Sequence, residues 1–319
     1  MVTLLWGIGI EQPLAAVRRE LKRLGAPIFE VDQRDAQQTT IELDVGGEIQ
    51  GQIRVRDRRI DLAEITAAYL RPYGLAREDD AVRRHRAILE YAMMIWARIT
   101  PALVVNRPQA MAANDSKPWQ MEQVREIGFR VPETLVTTDP DAARGFRERH
   151  GAVIYKSLSG TRSIVSRLEP SDFARLANVS YCPTQFQEYV PGRDFRVHVA
   201  GGELFASEII SDADDYRYPG RHRVQILARD LPEDVAARCR RLARATNLPV
   251  AGIDLRRTPD GEWYCFEVNP SPAFTYYESR TGQPIARAIA RFLAGRGYGE
   301  VPDVEHKPSR DPETIGAPG

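Results

Sequence analysis

The sequence contains little lysine, no excess charge and no long apolar run. Lysine occurs only as Lys22, Lys117, Lys156 and Lys307, so arginine supplies nearly all of the 44 basic residues. These are matched by 44 acidic residues, and a balanced charge gives no overall field that would favour nucleic acid or a membrane surface as a partner. No apolar stretch approaches the ~20 residues of a membrane-spanning helix. We therefore expect neither nucleic-acid binding nor membrane insertion.

Cysteine is also scarce. Cys182, Cys239 and Cys265 lie far apart and lack metal-ligand spacing. An odd number of widely separated cysteines is typical of proteins with reduced thiols. The N-terminal segment Val2–Gly7 soon turns polar and predicts a strand, not a signal peptide. The sequence predicts a cytoplasmic protein.

The order of apolar patterns predicts an α/β (α+β) fold. A strand pattern near the N-terminus, helical spacing from Leu14 to Leu24 and a second strand pattern ending at Asp32 predict a β-α-β opening with parallel strands. Antiparallel strand patterns follow after Thr184. The predicted division is an N-terminal lobe at 1–110, a central lobe at 111–190, a C-terminal lobe at 191–295 and a disordered tail at 296–319.

A long helix is predicted from Asp79 to Ile99. Its apolar residues recur at helical spacing, and we expect one face to pack on the core. The residues assigned to that face are Ile88, Tyr91, Ala92, Ile95 and Trp96.

A hairpin near the C-terminus carries the most informative polar residues. Two apolar strands flank a Pro-Asp-Gly turn, so strand pairing brings Asp254 near Glu267 and Asn269. Two carboxylates and an amide carbonyl are hard oxygen ligands, which Mg²⁺ prefers. The apolar neighbours, Phe266 and Val268 among them, are expected to face the core. The alternative is an ordinary hairpin with surface acids, but the in-phase Asn269 and the prolines that follow it favour a magnesium site.

Lys156 ends an apolar strand and precedes a loop rich in small and hydroxyl residues, which includes Ser159 and Gly160. Backbone N–H groups of such a loop can bind a polyphosphate, with the lysine as a compact countercharge. A surface lysine is the alternative. The rarity of lysine in an arginine-rich chain favours the phosphate interpretation.

An extended segment from Gln187 to Val190 offers backbone N–H and C=O groups that could pair with the edge of an adenine ring. Asp194 is placed to reach ribose hydroxyls, and Arg196 lies two residues on, on the same strand face. The alternative is a plain strand pair with a surface contact between Asp194 and Arg196.

Taken in order, these blocks resemble the ATP-grasp fold and, within it, the RimK-type carboxylate ligases. The resemblance covers about Asn106 to Ala294. It rests on blocks in a characteristic order: Asn114–Lys117, Tyr155–Gly160, Gln187–Val190, Gly192–Arg196, Gly252–Asp254 and Glu267–Pro272. The resemblance implies a pre-ATP-grasp β-α-β lobe at the N-terminus, a small central lobe and a C-terminal lobe built on an antiparallel sheet.

The resemblance also implies residue roles. ATP and Mg²⁺ are the expected cofactors, with Mn²⁺ as an alternative metal. Arg196 and Arg217 are the predicted catalytic residues, Arg217 being near the phosphates. The predicted nucleotide-binding residues are Lys117, Lys156, Ser159, Gly160, Gln187, Glu188, Tyr189, Val190 and Asp194, and the predicted metal ligands are Asp254, Glu267 and Asn269.

A narrower likeness exists to the graspetide (microviridin-type) peptide macrocyclases, which join Asp or Glu side chains of a precursor peptide to Ser, Thr or Lys side chains. It rests on Ala67–Pro72, Val131–Pro140 and Ser159–Ser163. The acidic residues from Glu208 to Asp215 stand where protein-glutamylating relatives carry basic ones, which favours a substrate with an amine.

The resemblance therefore implies an ATP-dependent ligase that activates a peptide carboxylate as an acyl phosphate and forms amide or ester crosslinks. A precursor peptide is the implied partner. ATP-grasp relatives are often dimers or tetramers, so the assembly stays open, with a homodimer as one candidate. Two alternatives stay open. One is a ligase that adds a free amino acid to a small-molecule or protein carboxylate, and the other is an ATP-binding sensor without chemistry.

Overall fold

The computed structural model describes residues 2–47, 49–74, 79–112, 117–157, 165–211 and 224–295, with the backbone alone at residues 117 and 118. The strands are β1 (Val2–Gly7), β2 (Ile28–Asp32), β3 (Thr39–Asp44), β4 (Gln50–Val55), β5 (Arg58–Asp61), β6 (Ile65–Arg71), β7 (Leu103–Val105), β8 (Thr134–Thr137), β9 (Val153–Ser157), β10 (Ser166–Arg167), β11 (Thr184–Glu188), β12 (Arg193–Ala200), β13 (Glu203–Ser211), β14 (Val224–Arg229), β15 (Val250–Arg257) and β16 (Trp263–Asn269). The helices are α1 (Gln12–Arg23), α2 (Asp80–Ile99), α3 (Pro108–Met111), α4 (Lys117–Ile127), α5 (Pro140–His150), α6 (Glu233–Ala245), α7 (Thr275–Thr281) and α8 (Ile285–Leu293). Short 3₁₀ segments lie at Gln33–Gln38, Leu62–Glu64 and Pro170–Tyr181.

The first part of the chain folds around a parallel sheet with strand order β2-β1-β6-β7. The predicted β-α-β opening is confirmed. Alternate side chains of β1 face opposite sides of this sheet, because successive residues of a strand point to opposite faces. Leu5 faces α1, whereas Leu4 and Trp6 face α2 and the small antiparallel sheet β3-β4-β5.

Helix α8, from the far end of the chain, packs beside α1 on the same face of this first sheet. Ile285 and Ile289 of α8 share one apolar cluster with Leu14, Val17 and Leu21 of α1. Side chains from the last sheet join the same cluster, namely Ala200, Phe205 and Val250. The beginning and the end of the chain therefore share a core.

The face predicted for α2 is wrong. Ile88 and Tyr91 are 71% and 69% exposed, while Trp96 of the predicted set is fully buried. The face that packs on the sheet carries Leu89, Met93, Trp96 and Ala97. Because α2 has apolar residues on two faces, spacing alone does not reveal which face meets the sheet.

Two further sheets lie downstream. The four-stranded sheet β10-β9-β11-β8 is antiparallel and is covered by α5 and the 3₁₀ segment Pro170–Tyr181. The five-stranded sheet β14-β13-β12-β15-β16 is also antiparallel, and α4 and α6 pack on one of its faces. None of the helices in the described ranges is long and apolar enough to cross a membrane. The domain boundaries and the tail remain predictions, and the tail lies outside the described residues.

Candidate nucleotide and metal site

A cleft lies between the four-stranded and five-stranded antiparallel sheets. It encloses about 870 Å³ of space between atoms, part of it open to solvent. Strands β9, β11, β12, β15 and β16 all contribute to its walls. Many of the predicted site residues line it together: Lys156, Gln187, Glu188, Tyr189, Val190, Asp194, Asp254 and Glu267.

The predicted hairpin is present as β15 and β16, and its register brings the candidate metal ligands together. Asp254 lies directly opposite Glu267, and Gly252 lies opposite Asn269. Directly opposed residues of an antiparallel pair have Cβ atoms roughly 5 Å apart. The two carboxylates are therefore close neighbours on the wall of the cleft.

The register of the hairpin slips by one residue next to this pair, because Leu255 lies opposite Cys265. Phe266 is the extra residue of a β-bulge, so it points to the same side as Glu267. The expectation that Phe266 faces the core is wrong, since it lines the cleft with Arg256 5.1 Å from its ring centre. Strict alternation of side chains fails at a bulge, and nothing in the composition of this strand announces one.

The candidate metal ligands fit a divalent ion shared with phosphate oxygens. Mg²⁺ is usually held by one or two carboxylates together with substrate phosphates, and Asp254 and Glu267 supply the carboxylates. The Asn269 Oδ1 accepts a hydrogen bond from the Ser271 N–H at 2.8 Å, which fixes the amide and leaves one lone pair for a metal. In the described part of the chain there is no cluster of three or more His, Cys, Asp and Glu side chains able to hold a metal by themselves.

Arg196 is buried and holds one of these carboxylates. Its Nη1 donates to the Asp254 Oδ1 at 2.7 Å, and its guanidinium carbon lies 5.9 Å from the ring centre of Tyr277. The guanidinium passes directly over Gly252, where an added Cβ would lie only 2.1 Å from the Arg196 Nη2. Glycine at this position makes room for the arginine.

Asp194 is held by a residue that sequence reasoning did not single out. Arg256 binds it at two points, with Nε to Oδ1 at 2.7 Å and Nη2 to Oδ2 at 3.0 Å. The remaining Nη1 of Arg256 donates to the Val190 carbonyl at 2.7 Å. Arg256 therefore links the predicted ribose-binding carboxylate to the predicted adenine-binding segment. Arg256 lies on β15, two residues after Asp254 and directly opposite Asp194, a register that the sequence does not show.

The predicted adenine-binding segment leaves one backbone donor for a ligand. The N–H of Glu188 donates to Glu133, and the N–H of Tyr189 donates to Ala152. By contrast, the Val190 N–H meets no hydrogen-bond acceptor among the described residues. The Gln187 side chain donates to the Thr134 Oγ1 at 3.0 Å, so its amide is already bound within the sheet.

The phosphate side of the site is only partly described. Lys156 lines the cleft from β9, opposite Gln185 of β11. Lys117 is the first residue of α4, but its side chain lies outside the described residues, as do Ser159, Gly160 and Arg217.

Two buried amides that the sequence did not single out hold the backbone near the metal hairpin. Gln120 of α4 binds both the N–H and the C=O of Val268. Asn106 donates to the carbonyls of Val250 and Pro270 and accepts from the Val250 N–H. Such contacts depend on three-dimensional proximity between segments more than a hundred residues apart, so no local pattern predicts them.

Two titratable groups near the cleft have shifted pKa values, which determine the charge that each one carries. Burial, reinforced by the charge of Arg196, lowers the pKa of His198 well below its ordinary value, so the imidazole is neutral. A hydrogen bond from Arg229, with a second from Arg193, lowers the pKa of Glu208. Because Glu208 is buried and neutralised by these partners, it does not contribute a free acid to the expected acidic rim. The acidic residues after Ser211 lie outside the described residues.

Comparison with known proteins gives relatives over part of the chain and solved structures over nearly all of it. No family model matches. A probable alpha-L-glutamate ligase of Pseudomonas aeruginosa is 29% identical over 210 residues, which covers 60% of this chain and 67% of that protein. The beta-citrylglutamate synthase B of Danio rerio is 26% identical and covers 60% of this chain, which spans half of that protein.

Among solved structures, the ATP-grasp ligase PsnB in complex with a variant of its minimal precursor, Mg and ADP is 26% identical, with a TM-score of 0.77 over 92% of this chain and 98% of PsnB. The chain has the ATP-grasp fold and is similar to ATP-dependent ligases. The macrocyclase MdnC of Microcystis aeruginosa, bound with its precursor peptide MdnA, has a TM-score of 0.80 at 22% identity, over 92% of this chain and 99% of MdnC.

The predicted ATP-grasp fold is confirmed, as is the resemblance of the chain to RimK-type ligases and to peptide macrocyclases. The expected cofactors, ATP and Mg²⁺, agree with the ADP and Mg present in the PsnB complex. The roles of individual residues remain predictions.

Proposed function

We propose that this ATP-grasp protein activates an Asp or Glu side chain of a precursor peptide and joins it to a hydroxyl or amine of the same peptide. The observation that carries the proposal is the quality of the structural match. The PsnB and MdnC structures, both solved with precursor peptides, match 92% of the chain with TM-scores of 0.77 and 0.80. The D-alanyl-alanine synthetase A of Vibrio cholerae covers a similar share, 93%, but with a TM-score of only 0.61. The chain is therefore more similar in structure to the ligases that bind precursor peptides.

The reaction needs two bond exchanges. A peptide carboxylate oxygen attacks the γ-phosphorus of ATP, which forms an acyl phosphate and releases ADP. A hydroxyl or amine of the peptide then attacks the acyl carbon, phosphate leaves, and the nucleophile loses its proton. The peptide loses one water for each ester or amide formed.

The described residues suit these steps. Asp254, Glu267 and Asn269 would hold Mg²⁺, which when bound neutralises charge on the reacting phosphates. Lys156 supplies fixed positive charge at the phosphate end, and such preorganised charge can lower a barrier by several kcal/mol. We assign Arg196 to the same work, since it is fixed beside Asp254 at the wall of the cleft.

Binding of the nucleotide would use the opposite end of the cleft. The Val190 N–H would donate a hydrogen bond to the adenine edge. Each carboxylate oxygen of Asp194 has a lone pair besides the one that binds Arg256, and with it would accept a hydrogen bond from a ribose hydroxyl. Arg256 contacts both Val190 and Asp194, so it would keep these two contacts at a fixed separation.

A second candidate function is the addition of a free amino acid to a carboxylate, which the likeness to alpha-L-glutamate ligases favours. The candidate homodimer, the cytoplasmic location and the rival of a non-catalytic sensor stay predictions.

The test is ADP release by the purified protein with Mg-ATP, alone and with candidate precursor peptides, followed by intact mass measurement of the peptide. Loss of one water per bond is the expected result. A mass gain equal to one amino-acid residue would replace the proposal with the amino-acid ligase, and nucleotide binding without turnover on any peptide or amino acid would favour the sensor.

A further inference from the structure

Gln120 lies on α4 and is almost completely buried, with 1% of its surface exposed. Its side-chain amide makes a reciprocal pair of hydrogen bonds with one residue of β16. The Gln120 Nε2 donates to the Val268 carbonyl at 2.8 Å, and the Val268 N–H donates to the Gln120 Oε1 at 2.9 Å. The amide thus binds the backbone as a neighbouring strand would.

This contact falls on an edge strand. β16 is the last strand of the five-stranded sheet, so its outer N–H and C=O groups need partners other than a strand. Near its start, the backbone of Arg130 fills that role by bonding Trp263 and Cys265. The bulge at Phe266 follows, and Gln120 secures the strand beyond the bulge.

Val268 separates the two candidate metal ligands contributed by this strand. Its own side chain is completely buried in the core, whereas Glu267 and Asn269 are only partly buried and lie on either side of it. Side chains point alternately to opposite faces along a strand, so any rotation of the Val268 backbone would also change the directions of the Glu267 and Asn269 side chains.

We propose that Gln120 is a positioning residue for the metal site: by fixing the backbone of Val268, it sets the directions of Glu267 and Asn269 toward the ion. The inference rests on the proposed function of those two residues as Mg²⁺ ligands. Groups that orient metal ligands commonly affect metal affinity by roughly 10–100-fold.

The position of Gln120 in its helix adds to this role. α4 begins at Lys117, the predicted phosphate-binding lysine, and Gln120 follows it by three residues. One rigid helix therefore sets the metal-bearing strand relative to the start of the predicted phosphate-binding segment.

The experiment compares Gln120→Met with Gln33→Met. Methionine has a similar length but cannot replace the two hydrogen bonds. Gln33 is the control because it makes a similar reciprocal pair with the Tyr73 backbone in the first lobe, at 3.2 and 2.9 Å, and is also buried; it donates a further hydrogen bond to Glu90 at 2.5 Å. The readouts are the melting temperature and the binding of ADP by calorimetry across a series of Mg²⁺ concentrations, including none.

Both variants are expected to melt at a lower temperature. Only Gln120→Met should raise the Mg²⁺ concentration needed for half-maximal enhancement of ADP binding, by roughly tenfold or more, with metal-free ADP affinity unchanged. Should Gln120→Met fail to fold, Gln120→Asn retains the amide but is one methylene too short to reach Val268, and the same shift is expected.

An unchanged Mg²⁺ requirement in a folded Gln120 variant would overturn the positioning role and leave a structural one. An equal shift in Gln33→Met would also overturn it. If Mg²⁺ does not enhance ADP binding by the wild-type protein, the metal site itself is wrong, which is a distinct outcome.

Discussion

Replacing Gly252 by alanine should displace Arg196 and damage the site without unfolding the chain. The added Cβ would lie 2.1 Å from the Arg196 Nη2, 2.5 Å from its Cζ and 2.8 Å from the Pro272 Cβ. To reach even 3.0 Å, the guanidinium must move by about 0.9 Å, which would lengthen or break its 2.7 Å bond to Asp254. The backbone of Gly252 is not in the left-handed region, so alanine adds no backbone strain there and the substitution tests crowding alone.

The expected magnitude has two parts. Crowding of a packed site costs about 1–3 kcal/mol of stability. A misplacement of about 1 Å near reacting groups can cost about 10²-fold in rate. We therefore expect Gly252→Ala to remain folded, with a lower melting temperature, and to release ADP from Mg-ATP about 100-fold more slowly than the wild type.

Gly145→Ala is the matched control, because an added Cβ there meets only the flexible end of Arg149 at 3.6 Å within α5. It should be neutral or slightly stabilising, as alanine is a better helix former than glycine. A double-mutant cycle with Arg196→Ala should show that the stability cost of Gly252→Ala falls once the arginine is gone. Wild-type ADP release by Gly252→Ala would refute this account of Arg196.

Four other changes test the site and its surroundings. Glu267→Gln should abolish ATP turnover while leaving the circular dichroism spectrum unchanged, and a folded variant with normal turnover would contradict the metal assignment. Lys156→Ala should weaken ATP binding measured by calorimetry, and an unchanged dissociation constant would rule out its phosphate role. Arg256→Met leaves the partly buried Asp194 carboxylate without its two-point partner, so we expect weaker ADP binding together with a lower melting temperature. Glu208 has a lowered pKa in the folded protein, so its stabilisation is complete above its ordinary pKa near 4.5 and is lost as the pH falls further. Removing its arginine partners one at a time should shift acid unfolding, followed by tryptophan fluorescence, to higher pH, and no shift would contradict the ion pairs.

Local patterns predicted the parts of the site that depend on local structure. The hairpin of β15 and β16 follows from two apolar strands and a strong turn, so the opposition of Asp254 and Glu267 could be expected. The β-bulge beside them could not be predicted, because one extra residue in a strand leaves no recognisable pattern in the sequence. Phe266 was assigned to the core for that reason.

Contacts between segments far apart in the chain could not be predicted from local sequence patterns. Arg256 resembled the many other arginines of the chain, and only the register of β12 against β15 shows that it faces Asp194. Gln120 is 148 residues from Val268, and no spacing of residues in a sequence identifies a glutamine that will be buried. On α2, periodicity predicted the helix correctly but assigned the wrong face to the core, since the choice of face depends on the shape of the sheet beneath.

The shared core of α1 and α8 limits how the chain can be divided. A fragment starting after the first lobe would expose the apolar side of Ile285 and Ile289, and an isolated first lobe would leave Leu14, Val17 and Leu21 uncovered. Either piece would be expected to aggregate. Exchange of first lobes between related ligases, as a route to new peptide substrates, should therefore transfer α8 together with the lobe it covers.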